Sequence, residues 1–286
     1  MKKHLSTALL LLVLLAGVAL LLYPTASDYW NSFHQSRAIA GYAESVSGLN
    51  AVDYEHIWRS ARDYNARLLE RANPFRVLEE DEADYNGELN VGNNGIMGYI
   101  EIPGIEVSLP IYHGTSDGVL QVAVGHLQGS SLPVGGPSTH CVLSGHRGLP
   151  SAKLFTNLDQ LAEGDIFMLR ILNETLTYEV DQIHIVLPDE MGDLVVQEGQ
   201  DHCTLITCTP YGVNTHRLLV RGKRIETPEA ASSARITADA VRIDPILVAP
   251  VAAAPMLLAL FIWAIAAPGG GKKKKKPSGK RVKKQS

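Results

Sequence analysis

Three residues near the ends of apolar runs carry the chemistry that this sequence predicts. Cys208 closes the apolar run 204–207, and Arg217 follows nine positions later. His146 lies 62 positions before Cys208, in a glycine-containing loop after another apolar run. A basic or cationic neighbour favours the cysteine thiolate, and a guanidinium stabilises the oxyanion that forms when a thiolate attacks an amide. Together these residue types predict acyl transfer through a thioester.

Each candidate residue has a defined role in that prediction. His146 protonates the leaving amine and later deprotonates the incoming one, while Arg217 holds the substrate carbonyl or the oxyanion. A purely structural alternative exists for the nucleophile, because a cysteine that closes a strand is usually a small core residue. Thr207 has two alternatives, a hydroxyl bond within the site or simple packing as a β-branched strand residue.

The segments TLITC at 204–208, SGHRGLP at 144–150 and TPYGVNTHR at 209–217 resemble the signatures of sortases, the cysteine transpeptidases of the Gram-positive cell surface. They are most similar to the class C branch, which assembles pili. The resemblance covers residues 93–226. It implies an eight-stranded β-barrel with short helices, cleavage of the Thr-Gly bond of an LPxTG-like sorting signal, and transfer of the threonyl group to a lysine of the next pilin.

The residues beside the motifs have lesser expected roles. His140 and His216 are not the catalytic imidazole of the family pattern, so we expect both on loops or at the surface. Arg147 is expected to form a structural ion pair.

The resemblance also predicts a lid at Asn73, Pro74 and Phe75. Class C sortases carry Asp-Pro-aromatic ahead of the barrel, with the aromatic ring over the nucleophile and the Asp near the arginine. Asn73 replaces that Asp, so a neutral hydrogen bond to Arg217 is expected instead of a charge-assisted one. The lid should therefore open more easily. A plain proline turn between helix and barrel is the alternative.

Local patterns independently favour a mainly β domain. Short β-type runs follow one another from residue 95, separated by glycine and proline, and seven or eight such strands predict a barrel or sandwich. The runs are 98–102, 107–112, 141–144, 166–172, 176–186, 203–207 and 218–225. Helical spacing within 24–72 predicts helices before the barrel, and 154–161 is predicted as a short connecting helix.

Three cysteines are too few for a disulfide scaffold. Cys141 and Cys203 lie five residues before His146 and Cys208, respectively. In parallel neighbouring strands, as the sortase fold implies, these equal offsets place the two thiols near each other on the face opposite the active site. A bridge between them is one alternative, although adjacent parallel strands fit disulfide geometry poorly.

Apolar runs flanked by lysines at both ends predict two membrane spans. The expected order is a cytoplasmic N-terminus at 1–4, a span at 5–23, a helical segment with the lid at 24–92, the barrel at 93–226, a spacer at 227–243, a span at 244–267 and a basic tail at 268–286. Basic flanks stay in the cytoplasm, so the catalytic domain should be extracellular and both termini inside. A cleaved signal peptide is the alternative for the first span.

Charge and composition limit the partners. The segment between the spans contains 15 basic and 30 acidic residues. Its net charge of about −15 repels nucleic acid. The lysine-rich tail should contact anionic membrane lipid. We expect no metal or organic cofactor, because the barrel lacks ligand spacings and a phosphate-binding glycine loop. The expected partners are pilins or surface proteins with LPxTG-like signals and an acceptor lysine.

Three other functions remain open from sequence alone. A housekeeping sortase would attach proteins to the peptidoglycan precursor, but the second span and the lid favour pilus assembly. A non-catalytic assembly scaffold would keep the barrel only as a binding module. An ordinary cysteine hydrolase would release an acid instead of forming an isopeptide bond.

Overall fold

The computed structural model describes residues 2–76 and 79–228. The described residues from Leu21 onward form one compact unit, and the described residues before Leu21 belong to a second unit. The predicted span 244–267 and the basic tail 268–286 lie outside the described residues, as does all but the start of the spacer 227–243.

Four helices are described: α1 Lys2–Ser47, α2 Ala51–Leu69, α3 Glu79–Gly87 and α4 Asp117–Leu120. Among the described helices, α1 alone has the length and apolar composition to cross a membrane, and it contains the predicted span 5–23. An N-terminal signal sequence meets the same criteria. Membrane anchoring and signal cleavage therefore both stay predictions.

Helix α2 begins with a reciprocal cap and buries one face. The Asn50 side chain accepts hydrogen bonds from the backbone of Val52 and Asp53, while Asp53 accepts one from the Asn50 backbone. This arrangement satisfies amide groups that the first helical turn leaves unpaired. The buried residues recur at helical spacing and are Trp58, Ala61, Tyr64, Asn65 and Leu68, so the predicted helical periodicity of this segment is confirmed.

Eight strands close into a barrel in the order β1-β2-β3-β4-β7-β8-β6-β5. Their bounds are β1 Ile96–Ile102, β2 Val107–His113, β3 Val124–His126, β4 Thr139–Ser144, β5 Ile166–Ile171, β6 Glu174–Val186, β7 Asp201–Thr209 and β8 His216–Ile225. The prediction of a mainly β, eight-stranded barrel with short helices is thus confirmed. Among the eight strands, only β3 is missing from the runs predicted from the sequence. Its three residues are too few to show the alternation of apolar and polar side chains that marks a strand.

The predicted helix at 154–161 is wrong. Only a single 3₁₀ turn, Leu158–Gln160, forms in this segment, and two further 3₁₀ turns occupy Pro103–Ile105 and Gly192–Leu194. Leu154 adopts a positive φ of 40°, which an α-helix does not permit. The buried Leu154, Phe155 and Leu158 belong to the barrel core, so their apolar spacing arises from packing of an irregular segment.

Strand parity divides β4, β7 and β8 into two faces. Cys141, Leu143, Cys203 and Leu205 join the main core inside the barrel. On the other face, Val142 and Leu219 form a second cluster with Leu194, and Ile206 packs beside it. Because successive side chains alternate across a strand, one strand supports the interior and lines an outer surface.

The two upstream cysteines are paired directly across the parallel strands β4 and β7. Cys141 lies opposite Cys203 in register, and both are buried free thiols. The disulfide considered from sequence is not formed. Burial raises the pKa of Cys141, but hydrogen bonds from Cys203 and His126 outweigh it and lower that pKa to about 6. Burial raises the pKa of Cys203.

His140 is not a loop or surface residue, contrary to the expectation. It belongs to β4, is 1% exposed, and its imidazole contacts the Thr204 hydroxyl at 2.7 Å and the Val195 carbonyl at 3.2 Å. These hydrogen bonds to the neighbouring strand and the covering loop offset the free-energy cost of removing the imidazole from water. His216 begins β8 opposite Thr209 and is half-buried, so it too is a strand residue.

Candidate active site

The structure brings Cys208 and Arg217 together across two antiparallel strands. Cys208 is the last but one residue of β7, Arg217 is the second residue of β8, and the two are directly paired. Arg217 also lies opposite Val186 of β6. Side chains of directly opposed residues leave one sheet face with Cβ atoms about 4.5–5.5 Å apart. The predicted nucleophile and the predicted anion-binding group therefore share one face.

That face is open at this end. Ile206 and Cys208 are half-buried, whereas the alternating Leu205 and Thr207 are buried. Arg217 and Ile206 line a groove of about 240 Å³ on the outside of the barrel. Its walls are largely apolar and include Leu127, Val186, Leu187, Pro188, Met191, Leu194 and Leu219. Glu190 also lines the groove, so one carboxylate and one guanidinium lie among the apolar walls.

His146 is the second residue of the loop that leaves β4 beside the end of β7. The Gly145 backbone N–H donates to the Ile206 carbonyl at 3.0 Å, and the Thr207 hydroxyl donates to the Gly145 carbonyl at 2.8 Å. Of the two alternatives for Thr207, the structure thus contains the hydroxyl bond. These bonds fix the residue before His146 against the residue before Cys208.

Phe155 supports the same loop from behind. Its backbone N–H donates to the His146 carbonyl at 3.1 Å. A Cβ atom on Gly145 would lie 2.7 Å from the Phe155 ring, so only glycine allows this approach. Glycine before the histidine is therefore a packing requirement.

The three candidate side chains have few partners of their own. Within residues 2–76 and 79–228, no side-chain hydrogen bond reaches His146 or Cys208. The Arg217 guanidinium donates to the carbonyls of Asn214 at 3.3 Å and His216 at 3.1 Å, and it forms no ion pair with a described carboxylate. Its remaining donors are available to a substrate oxygen. Arg147, by contrast, is ion-paired with Asp159, as the sequence predicts.

The segment 73–75 lies on the outer face of the barrel. Phe75 is partly buried against the cluster of Val142, Leu194 and Leu219, which Ile206 also contacts. Gly129 has a φ of 95°, and a Cβ there would lie 2.5 Å from the Pro74 carbonyl oxygen. The barrel wall is thus shaped to receive this segment.

The predicted hydrogen bond between Asn73 and Arg217 is not formed. Asn73 is exposed, and the Arg217 guanidinium donates to the two backbone carbonyls instead. A bidentate ion pair joins residues on either side of the segment, in which the Arg71 guanidinium donates to Asp81 of α3 at 2.7 and 2.8 Å. Sequence reasoning missed this contact, because nothing local relates a residue after α2 to one in α3.

A second cavity, of about 460 Å³, lies between this segment and the barrel wall. Pro74, Phe75, Gly129, His140 and Val195 are among its lining residues. Sequence reasoning also missed the groove walls. The alternation of side chains along strands 204–208 and 217–219 could have identified Ile206 and Leu219 as groove residues. Met191 and Leu194 lie outside the strands, where no such alternation identifies them.

Comparison with known proteins identifies the family. The Sortase domain model matches residues 100–225. Sortase D of Bacillus subtilis is 30% identical over 148 residues, which cover 51% of this chain and 72% of that relative.

Solved structures of sortases match about two thirds of this chain. Sortase C1 from Streptococcus agalactiae has a TM-score of 0.66 and 52% identity, covering 67% of this chain and 100% of that one. Streptococcus pneumoniae sortase C has a TM-score of 0.58 and 43% identity, covering 67% and 97%. The chain belongs to the sortase family of cysteine transpeptidases, and these two structural neighbours are class C sortases.

Proposed function

We propose that this chain is a pilus-assembling class C sortase, with Cys208 as nucleophile, His146 as general acid and base, and Arg217 as the stabiliser of the oxyanion. The observation that carries this proposal is the direct pairing of Cys208 with Arg217, beside the loop that contains His146. Clostridium perfringens sortase C, 41% identical to this chain, is solved with a C-terminal cell wall sorting motif, and the S. pneumoniae neighbour is described in terms of pilin substrate specificity.

In the first half-reaction, the Cys208 thiolate attacks the threonyl carbonyl carbon of the sorting signal. The oxygen gains the negative charge, and Arg217 binds it without losing its own proton. The C–N bond to glycine then breaks while imidazolium His146 donates its proton to the departing amine. A thioester on Cys208 and a released glycine-led peptide result.

In the second half-reaction, a lysine amine of the next subunit attacks the thioester carbon. Neutral His146 accepts the proton that the amine loses, and the Cys208 thiolate leaves with the electron pair of the C–S bond. The product is an isopeptide bond, and the thiolate–imidazolium pair is restored. The apolar walls formed by Leu127, Val186 and Leu219 suit the leucine and proline of the signal.

The membrane arrangement is part of the same proposal. The apolar start of α1 would anchor the enzyme, with the catalytic unit outside the cell and the lysine-flanked N-terminus inside. A second span at 244–267 and a lipid-contacting tail at 268–286 would complete it. Segment 73–75 would act as a lid over the groove, opened when substrate binds.

The test is transpeptidation by the full chain in detergent or nanodiscs. An LPxTG peptide is supplied with a lysine-bearing pilin domain, and products are identified by mass spectrometry. We expect an isopeptide-linked product and none with Cys208→Ala. Release of the acid alone would identify a hydrolase, uncleaved peptide would identify a scaffold, and preference for a peptidoglycan-precursor amine would identify a housekeeping sortase.

A further inference from the structure

Arg147, Gly148 and Tyr211 connect the two loops that leave the candidate active site. We propose that these residues, here termed the histidine-loop clamp, hold His146 at the position from which it exchanges protons with Cys208. Arg147 and Tyr211 are then positioning residues that do not touch the substrate. The inference rests on the proposed role of His146.

The need for such a clamp follows from the surroundings of His146. A catalytic imidazole is commonly oriented by a hydrogen bond to a third group. In the described part of the chain, no side chain or carbonyl bonds to the His146 ring. Its orientation therefore depends on the backbone of its own loop and on what holds that loop.

Arg147, the next residue, is held from two sides. Its guanidinium is ion-paired with Asp159 and lies 5.7 Å from the centre of the Tyr211 ring. Only 10% of its side chain is exposed. Its Nε is buried without a hydrogen-bond partner, which costs free energy that the carboxylate and the ring face offset. The side chain is thus confined between two fixed partners.

Gly148 allows the aromatic ring to approach. It has a φ of 74°, and a Cβ there would lie 3.1 and 3.3 Å from two Tyr211 ring atoms. A larger residue would both strain the backbone and push against the ring. Tyr211 itself is 61% exposed, so it is not a core residue, and the described contacts of its ring lie on the histidine loop.

The placement of the clamp makes it relevant to proton transfer. Arg147 directly follows His146, and Tyr211 lies three residues after Cys208. The clamp therefore joins the loops close to where the two reacting side chains emerge. A displacement of about 1 Å between reacting groups lowers a rate by roughly 100-fold, so partial loosening should be visible in the rate.

The test compares Tyr211→Leu, which removes the ring, with Tyr211→Phe, which keeps it. Val213→Ala is the control, because Val213 is 65% exposed in the same loop and is not part of the clamp. For the full chain, kcat and KM of transpeptidation are measured, together with the pH dependence of Cys208 alkylation. Melting temperatures of all variants confirm that they fold.

We expect Tyr211→Leu to lower kcat about 10-fold, with KM within twofold, and to shift the pH profile of alkylation. Tyr211→Phe and Val213→Ala should match the wild type. Combining Tyr211→Leu with Arg147→Lys, which keeps the charge but loses the planar stack, should cost less than the sum of the two single changes.

A rise in KM alone would overturn the proposal, because it would make Tyr211 a substrate-binding residue. An unchanged kcat and pH profile in Tyr211→Leu would overturn it equally. If the wild type fails to join peptides at all, the proposed function fails. The alkylation profile then still tests the clamp, since it requires no substrate.

Discussion

Two cysteines five residues apart on β7 have opposite surroundings. Cys203 faces the barrel interior, is fully buried and is paired with Cys141. Cys208 faces outward, is half-buried and is paired with Arg217. An odd spacing along a strand reverses the side chain. The difference teaches that one strand can support the core with one face and present the proposed nucleophile with the other.

A low pKa does not by itself make Cys141 reactive. Against the effect of burial, Cys203 and His126 lower the pKa of Cys141 to about 6, yet Cys141 is only 2% exposed. A thiolate must also be reached by its electrophile. The outer thiol has the more accessible position, so access and the neighbouring guanidinium distinguish the two faces.

The largest difference between the faces should appear when each thiol of β7 is removed. Cys208→Ala should reduce transpeptidation by roughly 10⁴-fold or more, because the covalent step is lost. Cys203→Ala should retain activity while lowering the free energy of unfolding by about 1 kcal/mol, through a small cavity in the core. Peptide-ligation assays and denaturant titrations measure the two effects. Loss of activity in a folded Cys203→Ala protein would contradict this division of roles.

A second comparison uses two arginines on the same face of β8. Arg217→Lys should lower kcat/KM by roughly 100-fold, since an ammonium cannot reproduce the guanidinium fork at the oxyanion. Arg221, four residues on, donates two hydrogen bonds to Asp181 at 3.0 and 2.9 Å. Arg221→Lys is therefore the matched control, and we expect its activity to fall less than threefold. Equal losses in both variants would show that Arg217 has no special part in the reaction.

The outer face of the barrel is open at Cys208 but covered at His140. The covered histidine should make the stability of the folded state depend on pH. Burial lowers the pKa of His140 to about 4, so the unfolded chain binds more protons between pH 4 and the ordinary histidine pKa of about 6.5. The folded state should therefore lose stability as pH falls through this range.

Replacing the imidazole tests that contribution. Between pH 7 and 4.5, the loss due to His140 should be about 2 kcal/mol, and His140→Gln should unfold with a correspondingly weaker pH dependence. Denaturant titrations at several pH values measure it. Identical pH dependence in both proteins would contradict a buried neutral imidazole at this position.

The smallest expected effect concerns access to the outer thiol. Phe75→Ala should speed alkylation of Cys208 about threefold if segment 73–75 is the proposed lid, because the ring no longer anchors this segment on the apolar cluster. Phe33→Ala, in the exposed part of α1, provides the control. If both variants react at the wild-type rate, segment 73–75 is only a turn between helix and barrel.

Sequence was sufficient where local pattern and the motif spacing determine structure. The ends of β7 and β8 could be predicted, and with them the nearness of Cys208 to Arg217. The equal offsets of Cys141 and Cys203 also match their pairing in the barrel. These features depend on strand period and register, which short segments encode.

Features that depend on tertiary contacts could not be predicted. The burial of His140 requires the carbonyl of Val195 from a distant loop, and β3 is too short for a periodic signal. The missing bond between Asn73 and Arg217 has the same origin. Pro74 and Phe75 pack against Gly129 and the apolar cluster on the barrel wall, and this packing leaves Asn73 exposed.

Trapping the acyl-enzyme tests the central claim most directly. The full chain is incubated with an LPxTG peptide without an amine acceptor, quenched in acid, digested and sequenced by mass spectrometry. We predict the threonyl fragment on Cys208, with the glycine-led peptide released in equal amount. An adduct on Cys141 or Cys203, or cleavage of the peptide without any thioester, would contradict the account.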